Sequence, residues 1–249
     1  MSIQSQADWR GLRQAANVAR LTLDALEAQV RPGVTTGALD AIAARLFARH
    51  GARSAPKLVY GFPGTVLISV NDEIVHGIPG ARRIAAGDIV KLDVTVEKNG
   101  YIADAARSVV AGQGEPTAHR LVECAAAAFQ AALAVARAGV RVNEIGRAVE
   151  GEVRRQGFSV VEGLAGHGVG RTIHEEPSVP NSYDPRQRDV LTEGLVLTIE
   201  PMISVGSSKV VKDADGWTLR TRDGSLSAHH EHTLVITRGE PIVLTAEAA

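Results

Sequence analysis

The chain has 249 residues, 45% of them hydrophobic and 22% charged, with a formal net charge of −1 and a single cysteine. That length suits one large domain or two small ones, and the balanced charge with scattered Lys and Arg excludes the electrostatic footprint of a nucleic-acid binder. Cys124 has no partner for an internal disulfide, no apolar run approaches ~20 residues, and MSIQSQADWRGLRQ lacks an apolar leader segment, so a soluble, cytoplasmic protein with no membrane contact is expected.

Leu12, Ala15, Ala16, Ala19, Leu23 and Leu26 recur at helical spacing and predict a helix over 8–30, ending before Pro32-Gly33. A second helix is expected from Thr36, a candidate N-cap, to His50, with Gly51 just past its end. Strand-like runs follow at TVLISV (65–70), DIVKLDVTVE (88–97) and YIADAARSVV (101–110). Asn99-Gly100 is a type I′ turn signal that joins the last two into a hairpin, with Lys98 opposite Tyr101. An alanine-rich helix is expected over 117–137 behind Thr117, with Cys124 in the core, and another over 144–156 between Asn143 and Gly157. Beyond it the chain reads mostly as strands and loops: FSVVEGL, LVLTIEPMI, WTLRTR, EHTLVITR and PIVLT.

The order of helices then strands occurs twice, and the repetition has a register. RPGVTTGALDAIAARLFARHG (31–51) aligns without gaps on RAGVRVNEIGRAVEGEVRRQG (137–157), so that Arg31, Gly33, Val34 and Gly51 match Arg137, Gly139, Val140 and Gly157. This predicts an α+β fold: one domain over 1–249 with two similar halves, about 8–113 and 114–246, related by a pseudo-twofold axis. Helices would lie outside a curved sheet, and both halves would contribute to a central cleft.

Four acids sit where core strands prefer Val or Ile. In the hairpin, Asp93 is opposite Ala106, which puts Asp93 and Asp104 on one face as diagonal neighbours. Glu200 ends the apolar run LVLTIE, and Glu231 begins EHTLVIT. GHGVGRTIHEEP (166–177) adds His167 and His174 among glycines that allow close backbone approach. Four carboxylates with one imidazole are too many charges to bury without a divalent cation, and bridging carboxylates suit two ions about 3.5–4 Å apart. Mixed O/N ligation favours Mn, Fe(II), Co or Zn.

The segments NDEIVHGIP (71–79), GDIVKLDVTVEKNGYIADAARSVVAG (87–112), GHGVGRTIHEEP, LTIEPM (197–202) and DGWTLRTRDGSLSAHHEHT (215–233) occur in this order. Together they resemble the type I methionine aminopeptidases, metallopeptidases of the pita-bread fold, through nearly the whole chain. The resemblance implies five ligands for two divalent ions: Asp93 on one, His167 and Glu200 on the other, Asp104 and Glu231 bridging. It also implies that His76 and His174 face the substrate and that Glu200 carries a proton. The expected activity is removal of the initiator methionine from nascent proteins and peptides, with a small second residue preferred and a monomeric enzyme as the default.

Three departures bear on specificity. Where the family's methionine pocket carries Cys and Tyr around APKLVYGFPGTVL, this chain offers Pro56, Val59, Phe62 and Leu67; Ile173 replaces a frequent Phe, and Trp217 is a packing residue near the pocket. The usual Gly-Asp-Thr around Asp104 is Ala-Asp-Ala, and the usual Gln-Tyr before Glu231 is His229-His230. No role follows for His50, His119, His229 or His230, and His232 is a candidate hydrogen-bonding neighbour of the site. The alternatives are a relaxed or proline-directed aminopeptidase, although those relatives carry a further N-terminal domain, and a non-catalytic peptide-binding protein, although such proteins lose metal ligands.

Overall fold

The computed structural model describes residues 1–246. Its elements are α1 (Gln6–Glu27), α2 (Thr36–His50), β1 (Arg53–Ser54), α3 (Ala55–Tyr60), β2 (Leu67–Val70), β3 (Glu73–Val75), β4 (Ile89–Lys98) and β5 (Tyr101–Val110) in the first part. There follow α4 (Pro116–Leu133), α5 (Val142–Arg155), β6 (Ser159–Val160), β7 (Ala165–Gly168), β8 (Glu175–Pro180), β9 (Val196–Ile199) and β10 (Met202–Ser204). The last are β11 (Val210–Lys212), β12 (Leu219–Thr221), β13 (Ser227–His229), β14 (Glu231–Val235) and β15 (Ile242–Val243). No helix among the described residues is long and apolar enough to cross a membrane.

The main sheet is antiparallel and runs β1-β4-β5-β14-β9-β7-β8, with β2 also on β4 and β15 on β14. Strand β4 shows how the sheet separates core from chemistry. Val90, Leu92, Val94 and Val96 point to one face and pack with Ala19, Leu23 and Leu26 of α1 and Leu39 and Phe47 of α2. The alternate residues Lys91, Asp93, Thr95 and Glu97 point to the other face, yet they are buried too. A second core cluster does the same for α4 and α5, where Leu121, Phe129, Ile145 and Val149 pack on Leu197, Ile199 and Leu234. Cys124 is buried in it, as expected.

The repeat detected in the sequence reappears in hydrogen bonds. The N–H of Gly33 donates to Ile84 O and that of Gly139 to Leu191 O. Thr36 N–H donates to Arg82 O where Val142 N–H donates to Asp189 O, and Ala52 to Phe47 O where Phe158 donates to Val153 O.

The Asn99-Gly100 turn forms as expected, with φ of 53° and 80°, and Lys98 faces Tyr101. Some boundaries differ. The cap of α2 is Thr35, whose hydroxyl accepts from Ala38 N–H, rather than Thr36. Thr117 does not cap α4: the preceding residue with extended backbone is Glu115, and Pro116 occupies the first turn, where its missing N–H costs nothing. That helix stops at Leu133, and Ala138 N–H instead bonds to Thr237 O.

Candidate metal centre

Antiparallel register builds the site. Asp93 pairs with Ala106, and Ala106 on its other side with Glu231. Strand β14 pairs His232 with Ile199, so the same register carried one step on sets Glu231 against Glu200. Asp93, Ala106, Glu231 and Glu200 therefore form one row across four strands, and the small Ala106 leaves the middle of the row open. Two residues along, on the same face, lies a second row: Thr95, Asp104, Thr233 and Thr198.

The threonines of the second row orient the acids. Thr95 Oγ1 donates to Asp104 Oδ1 at 3.0 Å, and Thr198 Oγ1 to Glu200 Oε1 at 3.0 Å. Thr233 Oγ1 accepts from Asp104 N–H and donates to Asp104 O, which pins that backbone. Thr95 thus supplies, from across the ladder, the hydroxyl that Ala-Asp-Ala lacks beside Asp104. Thr198 Oγ1 also accepts from His167 N–H at 3.1 Å, so one hydroxyl ties β7 to Glu200. His167 Nε2 then lies 3.4 Å from Glu200 Oε1.

His167 sits on a strand, although glycines such as its neighbours are poor strand residues. The close approach explains them: a Cβ on Gly166 would meet Thr198 O at 2.5 Å, and one on Gly168 would meet Glu176 O at 2.3 Å. Glycine is needed here for backbone contact across the sheet.

The electrostatics are those of acids crowded together in a buried place. All four acids are buried. Burial pushes the Asp104 carboxyl up to about 6. Asp93, Glu200 and Glu231 are held well above the usual carboxylate range, by burial first and by the charge of Asp104 second. Among the described residues their only basic neighbours at ion-pair distance are the imidazoles of His167 and His229, themselves pushed down by burial to about 4 and about 3. Two three-residue groups bring their ligand atoms within 4.8 Å of one another: Asp104, His167 and Glu231; and Asp93, His229 and Glu231. Hard oxygens, imidazole nitrogens and no thiolate fit divalent ions, and a bound cation would offset the carboxylate charge that burial disfavours.

The acids open into a cavity of about 640 Å³. Pro56, Phe62, Leu67, Ile173 and Trp217 line it, with the Phe62 and Trp217 rings edge-on at 5.3 Å. His76 and His174 line it as well. His76 has a left-handed backbone with φ of 63°, uncommon for a residue with a Cβ, and burial pushes its ring down to about 4. Val59, expected in this lining, is 53% exposed and takes no part in it. Residues 55–60 are a helix, capped by Ser54 and closed by Gly61, so Pro56 and Tyr60, four apart, share the inward face. Tyr60 is the residue that sequence reasoning missed there, and its hydroxyl lies 2.6 Å from His174 Nδ1. The Ser-Ala-Pro start and Gly end of α3 were the available signals. His229 was also missed, and its buried ring borders Glu200 and Glu231. His232 hydrogen-bonds Thr245 Oγ1 through Nδ1 at 2.9 Å.

The pattern of metallopeptidase family M24 matches residues 10–238. Methionine aminopeptidase 2 of Bacillus subtilis is 43% identical over 247 residues, covering 98% of this chain and 99% of the relative. Methionine aminopeptidase of Clostridium perfringens is 41% identical over 94% of each chain. Among solved structures, methionine aminopeptidase from Thermotoga maritima superposes with a TM-score of 0.96 at 32% identity, over 99% of this chain and 100% of that one. A prolidase from Pyrococcus furiosus shares the fold at a TM-score of 0.80 and 22% identity, with 66% of its length covered.

Proposed function

The chain belongs to metallopeptidase family M24, and from that membership we propose that it is a methionine aminopeptidase, a hydrolase that removes the initiator methionine from nascent proteins and peptides. The observation that carries the reading is the register row of buried carboxylates, joined by His167, at the floor of an apolar cavity. Its full-length relatives bear the same activity in their names, whereas the prolidase likeness extends to the fold alone. The enzyme would act in the cytoplasm as a monomer.

Asp93, Asp104, His167, Glu200 and Glu231 would hold two divalent ions, among Co, Mn, Fe(II) and Zn. When bound, such ions supply Lewis acidity to the scissile carbonyl and lower the pKa of water toward neutrality. The residues do the rest. Glu200 takes the proton of the attacking water and passes it to the leaving nitrogen. His174 is neutral near pH 7, because burial lowers its pKa. In the tautomer whose Nδ1 accepts from the Tyr60 hydroxyl, the ring proton sits on Nε2, where it can donate to the oxygen that gains charge in the tetrahedral intermediate. His76 orients the leaving nitrogen.

Phe62, Leu67, Ile173 and Trp217, with Tyr60, form the pocket for the first side chain. Apolar walls suit methionine, whose unbranched chain adapts to irregular space. Exchanging such walls alters discrimination by only about 1–3 kcal/mol per methylene-sized difference, so the expected departure is a relaxed preference that admits leucine or norleucine. Comparison of kcat/KM on Met-Ala-Ser, Leu-Ala-Ser, Ala-Ala-Ser and Ala-Pro-Ser peptides in each metal tests the reading. Met-Ala-Ser should lead; preference for Ala-Pro-Ser, or no cleavage in any metal, would overturn it.

A further inference from the structure

We propose that His229 is a metal ligand, so that each ion of the centre receives an imidazole. The inference rests on the metal-dependent reading above and adds a ligand that the five-residue set lacks.

The His229 backbone is fixed from two sides. Ser108 on β5 donates its hydroxyl to His229 O and accepts from His229 N–H, both at 2.8 Å, and β13 pairs His229 with Met202. The ring is thereby aimed at the acids. It is 1% exposed, and neither Nδ1 nor Nε2 has a hydrogen-bond partner. A neutral imidazole carries one donor and one acceptor, and buried groups of this kind are paired as a rule.

Spacing indicates what the partner is. Nε2 lies 3.7 Å from Glu231 Oε2 and 3.8 Å from Glu200 Oε2, both too long for hydrogen bonds. Two atoms that each sit about 2.1 Å from one ion are themselves about 3–4 Å apart. His167 shows the same relation on the other side of Glu200, with Nε2 3.4 Å from Oε1. Glu200 is thus flanked by imidazoles, one toward each carboxylate oxygen. The two triads Asp104–His167–Glu231 and Asp93–His229–Glu231 share only Glu231, and each holds one imidazole.

A second imidazole shifts the centre from manganese toward zinc, cobalt or iron, since ring nitrogens favour these over oxygen-preferring ions. The test uses zinc and manganese as probes. X-ray absorption on the full chain loaded with two equivalents of zinc should count about one imidazole per zinc, where His167 alone would give about half. Titration of metal-free protein should show H229Q binding one of two zinc ions at least about tenfold more weakly, with manganese affected less. Half an imidazole per zinc in the unsubstituted protein, or an unchanged zinc isotherm in H229Q, overturns the assignment. If Glu231→Ala loses metal while H229Q matches the parent, only His229 is wrong; if both retain full metal, the dinuclear reading fails with it. The absorption measurement needs no variant, so a misfolded H229Q would not shelter the proposal.

Discussion

The rings of His167 and His174 lie 4.2 Å apart between centroids, and their surroundings differ. His167 is tied through its backbone to Thr198 with its ring 3.4 Å from Glu200 Oε1, whereas His174 turns to Tyr60 and the cavity. His174→Ala should lower kcat by about 10²–10³ with metal content intact, the cost of a lost oxyanion donor. His167→Ala should instead lower bound metal; kinetics combined with metal analysis on both variants checks this, and identical behaviour would refute the division. The acids were legible in the sequence because a carboxylate in an apolar strand has few structural uses. Tyr60 and His229 were not. Which of Val59 and Tyr60 faces inward depends on the phase of a six-residue helix, and His229 gains meaning only when β13 and β14 deliver it to Glu200.

At the scale of elements, the β4–β5 hairpin could be read to the residue, since Asn-Gly fixes the turn and period-two alternation fixes both faces. Strand β7 could not. Its glycines lack the side chains by which strands are recognised, and their purpose is a backbone approach that only the folded sheet reveals. Gly166→Ala tests that purpose. The added Cβ, 2.5 Å from Thr198 O, must push β7 from β9, which disturbs the Thr198 hydroxyl shared by His167 and Glu200. Overpacking of this kind costs about 1–3 kcal/mol. Thermal melts should show that loss and metal titration a weaker affinity; a variant equal to the parent in both would count against the close-packed account.

Across the whole molecule, the matching loop hydrogen bonds at Gly33 and Gly139 show two halves built alike, joined where β5 pairs with β14. The site spans that junction, with Asp93 and Asp104 from one side and His167, Glu200 and Glu231 from the other. Without metal the junction concentrates like charge. Burial raises Asp104 from 3.8 to about 6 on folding, and Asp93, Glu200 and Glu231 are raised as well. A raised carboxyl binds protons more tightly in the folded state, so the metal-free protein loses stability as pH rises from the unfolded value through the folded one. Melting with and without chelator should therefore show metal stabilising the protein more at about pH 7.5 than at about pH 5. Equal stabilisation at both would contradict it. If these acids hold the ions on which peptide cleavage depends, Glu231, common to both triads, is the residue whose loss should remove both. Metal content and Met-Ala-Ser turnover are measured together in the parent and in Glu231→Ala. The parent should hold two ions and cleave in a metal-dependent way, and the variant should lose both ions and cleavage; full metal occupancy with normal turnover in Glu231→Ala would mean that these acids do not hold the catalytic ions.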